Sequence, residues 1–184
     1  MPELRFSAQI YPFAALYPDR RERCRQNYSV PCSSRQIERV CGDGEGYSWR
    51  DEFNQPATNY RNYRETWLLV CKNISQAGKP VILCGAGVPD QFEQCIERRY
   101  FSNVHYLALV CEIETLTSRL RNRPAWRGSS KDEYIEEHLK FNRWLIDNAQ
   151  DTQPPMTLLN TSEITVDESV QAAERWIHSH LNGK

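Results

Sequence analysis

The chain has 184 residues, 23 Lys+Arg against 24 Asp+Glu, and a formal net charge of −1. That length suits one domain with a proper core, and the charge balance excludes a generally basic nucleic-acid binder. No apolar run reaches membrane-spanning length and no charged-then-apolar secretory leader opens the chain, so a soluble cytoplasmic protein with neither nucleic-acid nor membrane partners is expected.

Residues 1–48 read unlike the rest. They hold seven arginines and no lysine; the first lysine is Lys72. Pro2, Pro12, Pro18 and Pro31 interrupt them, and Gly42, Gly44 and Gly46 fall in a loop-like Cys-Gly-Asp-Gly-Glu-Gly run. No helical or strand period is sustained, so this stretch is expected to be an irregular, poorly ordered leader, with residues 49–184 as the folded domain.

From Trp49 the pattern becomes orderly. Tyr63, Trp67, Val70, Cys71, Ile74 and Ala77 recur at helical spacing, and Gly78 with Pro80 ends that helix. Residues 80–85 form a short apolar strand of the kind buried on both faces. The turn Gly85-Ala86-Gly87-Val88-Pro89 follows, then a polar helical segment around Gln91 to Ile96. Residues 104–111 predict a second buried strand, and residues 112–122 a helix with Ile113, Leu116 and Leu120 on one face. Residues 131–149 predict the longest helix, with Ile135, Leu139, Asn142, Leu145 and Ile146 on one side. Residues 156–160 are a third strand, and residues 167–181 a closing helix with Val170, Ala173, Ile177 and Leu181 inward. Strands alternating with helices give an α/β fold with a parallel sheet, whose ligands bind at the strand carboxyl ends.

An arginine-dense stretch stands out between the last two of those strands. Arg119, Arg121, Arg123 and Arg127 lie within nine residues, and Pro124 and Gly128 break the backbone around Arg127. Guanidinium groups on a loop suit the clamping of phosphate oxygens. Arg119 and Arg123, four apart, share a helix face and would meet a transferring phosphate; the alternative is surface charge paired with Glu112 or Glu114. Trp126 would stack on a ligand or tuck the loop against the next helix. Gly85 and Gly87 permit close backbone approach to a ligand, or simply turn the chain. The seven cysteines form no CxxC pair and have no zinc spacing; Cys71, Cys84 and Cys111 read as buried small hydrophobes of a reducing compartment. No metal-ligating pattern involves the histidines.

From about Trp49 onward the chain resembles the P-loop nucleoside and nucleotide kinase-like proteins. The likeness is carried by Trp49-Arg50-Asp51-Glu52-Phe53-Asn54, by Tyr60-Arg61-Asn62-Tyr63-Arg64-Glu65-Thr66-Trp67, by Val81-Ile82-Leu83-Cys84-Gly85, by Glu97-Arg98-Arg99-Tyr100-Phe101-Ser102 and by residues 119–130. The resemblance implies a three-layer kinase-like fold, a parallel sheet with helices on both faces and an arginine-rich lid. It implies ATP as phosphoryl donor with Mg2+, and a nucleoside or nucleotide as small-molecule acceptor. It assigns Arg119, Arg123 and Arg127 to catalysis in the lid. Trp49, Arg50, Glu52, Phe53, Gly85 and Gly87 would line the acceptor pocket, and Asn160 and Thr161 would meet the nucleotide.

The chain departs from that family where the chemistry starts. A G-x-x-x-x-G-K-S/T loop should follow the first strand, its amides cradling phosphate, its lysine reaching the β and γ groups and its hydroxyl holding Mg2+. No such loop is present; Gly78-Lys79 runs into Pro80 and a strand. Read one base later, a permitted coding of residues 19–29 spells Thr-Gly-Gly-Asn-Gly-Ala-Gly-Lys-Thr-Thr, and residues 40–48 become an apolar strand followed by carboxylates. Residues 1–48 are therefore either an out-of-frame kinase start or a divergent region of their own. The polypeptide is expected to have impaired or no kinase activity, with a non-catalytic nucleotide- or anion-binding module, or a kinase fragment, as alternatives.

Overall fold

The computed structural model describes residues 55–85, 87–123 and 129–181, together with the backbone of two strands nearer the amino terminus, Ser7–Pro12 (β1) and Glu38–Cys41 (β2). The chain divides into two compact units. The first comprises Met1–Pro12, Val30–Tyr106 and Thr152–Met156; the second comprises Phe13–Ser29, Leu107–Asp151 and Thr157–Lys184. Helices and a small parallel sheet make the fold α/β.

In the first unit, α1 (Arg61–Ser75), β3 (Val81–Gly85), α2 (Pro89–Glu93) and a 3-10 turn (Ile96–Tyr100) lead to β4 (Asn103–Val110). Every strand pairing here is parallel. β2 pairs with β3, β3 with β1, and β1 with β4, with Glu38 and Ala8 both opposite Val81 and Ser7 opposite Asn103. Two short strands thus fall within residues 1–48, where no strand period is sustained, and β1 lies between β3 and β4 inside the sheet. Ser7 and Gln9 break its apolar run and Pro12, without an N–H, closes it, so the local pattern carries almost no strand signal. Its ladder comes from partners far along the sequence, a tertiary cause that no local reading registers.

The α1 helix ends as its sequence predicts. Gly78 takes φ +79°, and its N–H donates to the Ser75 carbonyl at 2.8 Å. A left-handed residue after the last turn is the usual glycine stop. The buried face differs from the expected one. Arg64, Leu68, Cys71 and Ser75 are inside, while Leu69 and Val70 are exposed and Tyr63 meets Trp67 edge-on at 6.2 Å on the flank. The stripe i, i+4, i+7, i+11 centres on Leu68 and Cys71, and so carries two polar residues inward at its ends.

β4 continues into the second unit, where β5 (Met156–Asn160) is its neighbour. Tyr106, Leu107, Ala108 and Val110 are buried, as the unbroken apolar run of β4 predicts. Then come α3 (Ile113–Arg121), α4 (Asp132–Asn148) and α5 (Val166–Leu181). Cys111, Leu116, Leu120 and Ile135 form a core cluster, with Tyr134 and Leu139 packed against it. Ile113, Ile146 and Val170, expected inward, are exposed, and Ser169 takes the buried place on α5. Thr165 and Glu168 close a capping box at the start of α5: the Glu168 carboxylate accepts from the Thr165 N–H at 2.7 Å and hydroxyl at 2.8 Å, and the Glu168 N–H donates back to that hydroxyl at 3.3 Å.

Cys71, Cys84, Cys95 and Cys111 are buried thiols, and burial pushes Cys71 up to about 12. No helix among the described residues is long and apolar enough to cross a membrane.

Candidate functional site

The second unit builds its site from the carboxyl ends of β4 and β5. Thr161, the residue after β5, is only 2% exposed. Its N–H donates to the Val110 carbonyl at 2.8 Å, and its hydroxyl donates to the same carbonyl at 3.1 Å. Arg119, in the last turn of α3, grips it from the other side. Nη1 donates to the Thr161 hydroxyl at 2.9 Å and Nη2 to the Thr161 carbonyl at 2.7 Å. Asn142, buried on α4, holds the next residue along: its Nδ2 donates to the Cys111 carbonyl at 2.9 Å, and its Oδ1 accepts from the Cys111 N–H at 3.1 Å. Beyond it the Glu112 N–H donates to the Ser162 hydroxyl at 2.8 Å, and that hydroxyl and the Ser162 N–H both donate to Asn160 Oδ1, at 2.7 and 2.9 Å. Burial pushes the Cys111 thiol up, while the neighbouring Arg119 charge pulls it down.

Two residues expected at the site, Arg119 and Thr161, are thus brought into direct contact. Both terminal nitrogens of the Arg119 guanidinium are engaged by Thr161, and the Cys111 thiol lies beside it as a further partner. Anchored at both nitrogens, its guanidinium is held in one orientation. Asn160 sits beside it on β5, its side chain engaged by Ser162. The other arginines diverge. Arg121 pairs with Asp132 at 3.1 Å, both well exposed. Arg123, half-buried, lies near His138, whose protonation is disfavoured first by burial and further by the Arg123 charge. Ser129 is buried and donates to the Leu120 carbonyl at 3.2 Å, returning the chain to the end of α3. Arg127 and Trp126 lie outside the described residues.

In the first unit, Gly85 ends β3, and a Cβ there would meet nothing within 4 Å among the described residues. At Gly87, a Cβ would stand 2.5 Å from Cε2 of the buried Phe92 ring. Glycine there is required by packing, whatever ligand approaches. Phe92 tilts against Tyr106 with ring centroids 6.5 Å apart. Tyr106 donates its hydroxyl to Glu93 Oε1 at 2.9 Å, and Arg98 Nε donates to that oxygen at 2.8 Å. Burial, reinforced by the Glu93 charge, pushes the Tyr106 phenol well above its ordinary range.

Arg64 is the residue that the sequence did not mark as a site. It is 6% exposed, and its Nε has no hydrogen-bond partner. The signal that could have found it is its spacing from Leu68, Cys71 and Ser75, which sets an arginine on the inner face of α1. Trp49, Arg50, Glu52 and Phe53, and the out-of-frame segment 19–29, lie outside the described residues. Among the described residues no three of His, Cys, Asp and Glu are placed to hold a metal ion.

No family model matches the chain, and no curated protein matches it. Among solved structures, the fold is similar to a "putative kinase" from Chloroflexus aurantiacus J-10-fl, with a TM-score of 0.53, 12% identity, and coverage of 97% of this chain and 99% of that one. A second structure, an uncharacterized protein from Eubacterium ventriosum ATCC 27560, aligns over 96% of this chain and 99% of that one at 9% identity, with a TM-score of 0.46. At such identities the first likeness is one of fold alone.

Proposed function

We propose that the chain is a nucleotide-binding protein of phosphotransferase type, with the three-layer P-loop kinase architecture, that pairs ATP with a small acceptor, a nucleoside or nucleotide, and transfers phosphate slowly or not at all. The observation that carries this reading is the end-to-end likeness of fold to the structure called a putative kinase. Arg119, in the last turn of α3 and bonded to Thr161 just after β5, supports it.

In such a reaction most of the catalysis is positioning and neutralisation of charge on the moving phosphoryl group. Arg119 would supply a fixed positive charge, oriented by Thr161, and Arg123 and Arg127 would add to it. The acceptor would lie against Gly85 and Gly87, with Trp49, Arg50, Glu52 and Phe53 around it, and Asn160 and Thr161 would face the nucleotide. Mg2+, when bound with ATP, would supply positive charge against the phosphates.

The low turnover follows from the sequence, which contains no G-x-x-x-x-G-K-S/T loop to cradle phosphate. The same observation favours the second reading, a non-catalytic nucleotide- or anion-binding module. Calorimetric titration with Mg2+ and ATP, run beside an assay of ADP release, tests both. Saturable ATP binding that Arg119→Ala weakens, with ADP release near the solvent background, is the expected outcome. Absence of ATP binding would defeat the nucleotide reading, and brisk Mg2+-dependent turnover would defeat the impairment. Sequencing the DNA for residues 10–55 decides the origin of the amino-terminal segment. If the next frame spells the phosphate loop, restoring it restores turnover.

A further inference from the structure

We propose that Arg64 receives a phosphate-type oxyanion of a small-molecule ligand at the carboxyl end of β3. Arginine is the one buried ion that cannot escape its cost by losing a proton, so a buried guanidinium calls for an anion or a full set of acceptors. Arg64 has neither among the described residues. It is 6% exposed, its Nε is unpartnered, and among the described residues no carboxylate lies within ion-pair distance of it.

The surroundings do not supply the missing charge. Glu65, the adjacent carboxylate, accepts from the Ile96 N–H at 2.8 and 3.1 Å and from the Glu97 N–H at 3.5 Å, and sits 3.6 Å from Arg61. The Cys95 thiol is the other close group: it lies within hydrogen-bond reach of the Arg64 side chain, but it donates to the Gln91 carbonyl at 3.3 Å, and burial, before the Glu65 charge, pushes it up, so it and the nearby Glu65 charge offset the burial of Arg64 only in part. Arg61 adds a second positive charge nearby. Burial, the largest influence on Arg64, disfavours its charged form, which is the strain an incoming anion relieves.

Helix α1 points the same way. Its N-cap, Tyr60, has a left-handed backbone with φ 56° and makes no side-chain cap, and the first turn holds no acidic residue. The positive end of a 15-residue helix is thus left to Arg61 and Arg64, which aggravate it. Ideal rises bring Arg64 toward the strand end as well. From Arg64 to Ser75 the helix rises roughly 16 Å, and β3, running the opposite way after the Gly78 turn, advances roughly 13 Å from Val81 to Gly85. That end of a parallel strand is where α/β folds take their ligands. A planar fork of donors selects a tetrahedral oxyanion over a halide.

This names a charged group for the acceptor side of the proposed phosphotransfer, and its test needs no turnover, so an inactive chain can still pass it. The whole chain is titrated at constant ionic strength with inorganic phosphate, with adenosine 5′-monophosphate and with adenosine, and melting temperature and heat are recorded. The wild type is expected to be stabilised by phosphate or the monophosphate more than by adenosine. Response to both identifies a free oxyanion as sufficient; response to the monophosphate alone identifies a phosphate carried on an acceptor. Arg64→Met should abolish that response while melting no lower than the wild type without ligand, because it removes an unpaired buried charge. A structural role would show the reverse, with a lower melting temperature and unchanged ligand response. Should Arg64→Met not fold, Arg64→Lys keeps a charge but loses the fork, and should bind the same probe about ten-fold more weakly. Equal binding by the variant, or no response of the wild type to either phosphate probe, overturns the proposal.

Discussion

Asn142 and Arg64 occupy comparable places and are treated oppositely by the chain. Each is a polar residue on the buried face of a helix, one in each unit, at 7% and 6% exposure. Asn142 has both functions of its amide answered by one residue, donating to the Cys111 carbonyl and accepting from the Cys111 N–H. Arg64 has an ionised group, an unpartnered Nε and a thiol for a neighbour. Buried polarity that closes on itself is architecture; buried polarity left open implies a group from outside. Among the described residues, Asn142 is answered by Cys111 at both ends of its amide, while Arg64 keeps its buried Nε without a partner.

The sharpest way to break the comparison is to open the closed side. Asn142→Ala strands the N–H and carbonyl of the buried Cys111, and should cost about 2–4 kcal/mol, lowering the melting midpoint by roughly 5–15 °C. Urea denaturation measures it; a loss comparable to that of a surface substitution would mean that the clamp is not tight. In the first unit, Gly87→Ala drives a methyl into the Phe92 ring and should cost about 1–3 kcal/mol. Gly85→Ala, whose Cβ would meet nothing within 4 Å among the described residues, should stay within about 0.5 kcal/mol in the same titration.

A smaller effect is expected at Arg119. Arg119→Met removes two bonds to Thr161, but the Thr161 hydroxyl keeps the Val110 carbonyl, so the loss should be about 1 kcal/mol. Its larger consequence should be weaker ATP binding, which separates this arginine from Arg64 by the ligand that each one loses.

The smallest effect is a pH dependence. Glu168 is held below the usual carboxylate range, first by the Thr165 N–H and then by the Thr165 hydroxyl. A depressed carboxyl contributes its stability above the unfolded-state pKa, about 4.3. That contribution is lost as pH falls through the lower folded value. Helical content of α5 should therefore decline below about pH 4. Glu168→Gln should remove this part of the acid dependence in a circular-dichroism titration, and an unchanged acid limb would show that the capping box does not titrate.

Elements with a strong local period were legible. β3, β4, β5 and the helices α3, α4 and α5 lie within a residue or so of where the hydrophobic pattern put them. β1 was not, because Ser7, Gln9 and Pro12 conceal a strand whose ladder is wholly tertiary. The inner face of α1 was read a residue away from its true position, since Tyr63, Trp67 and Val70 look more apolar than Arg64 and Ser75. At the site, the sequence marked Arg119 only together with Arg123 and Arg127, and its grip on Thr161, 42 residues away, could not be read from local pattern. Arg64 escaped notice because an arginine near a helix start reads as surface charge, and burial is not written in residue type.

The Asn142 clamp also makes one proton a timekeeper. The Cys111 N–H can exchange with solvent only when Asn142 lets go, and Asn142 lets go only when α4 lifts or its side chain swings out. In the limit of rapid reclosure, its exchange rate reads the free energy of that opening directly. A single amide at the end of a strand thereby reports on a 17-residue helix, on a timescale of minutes to hours.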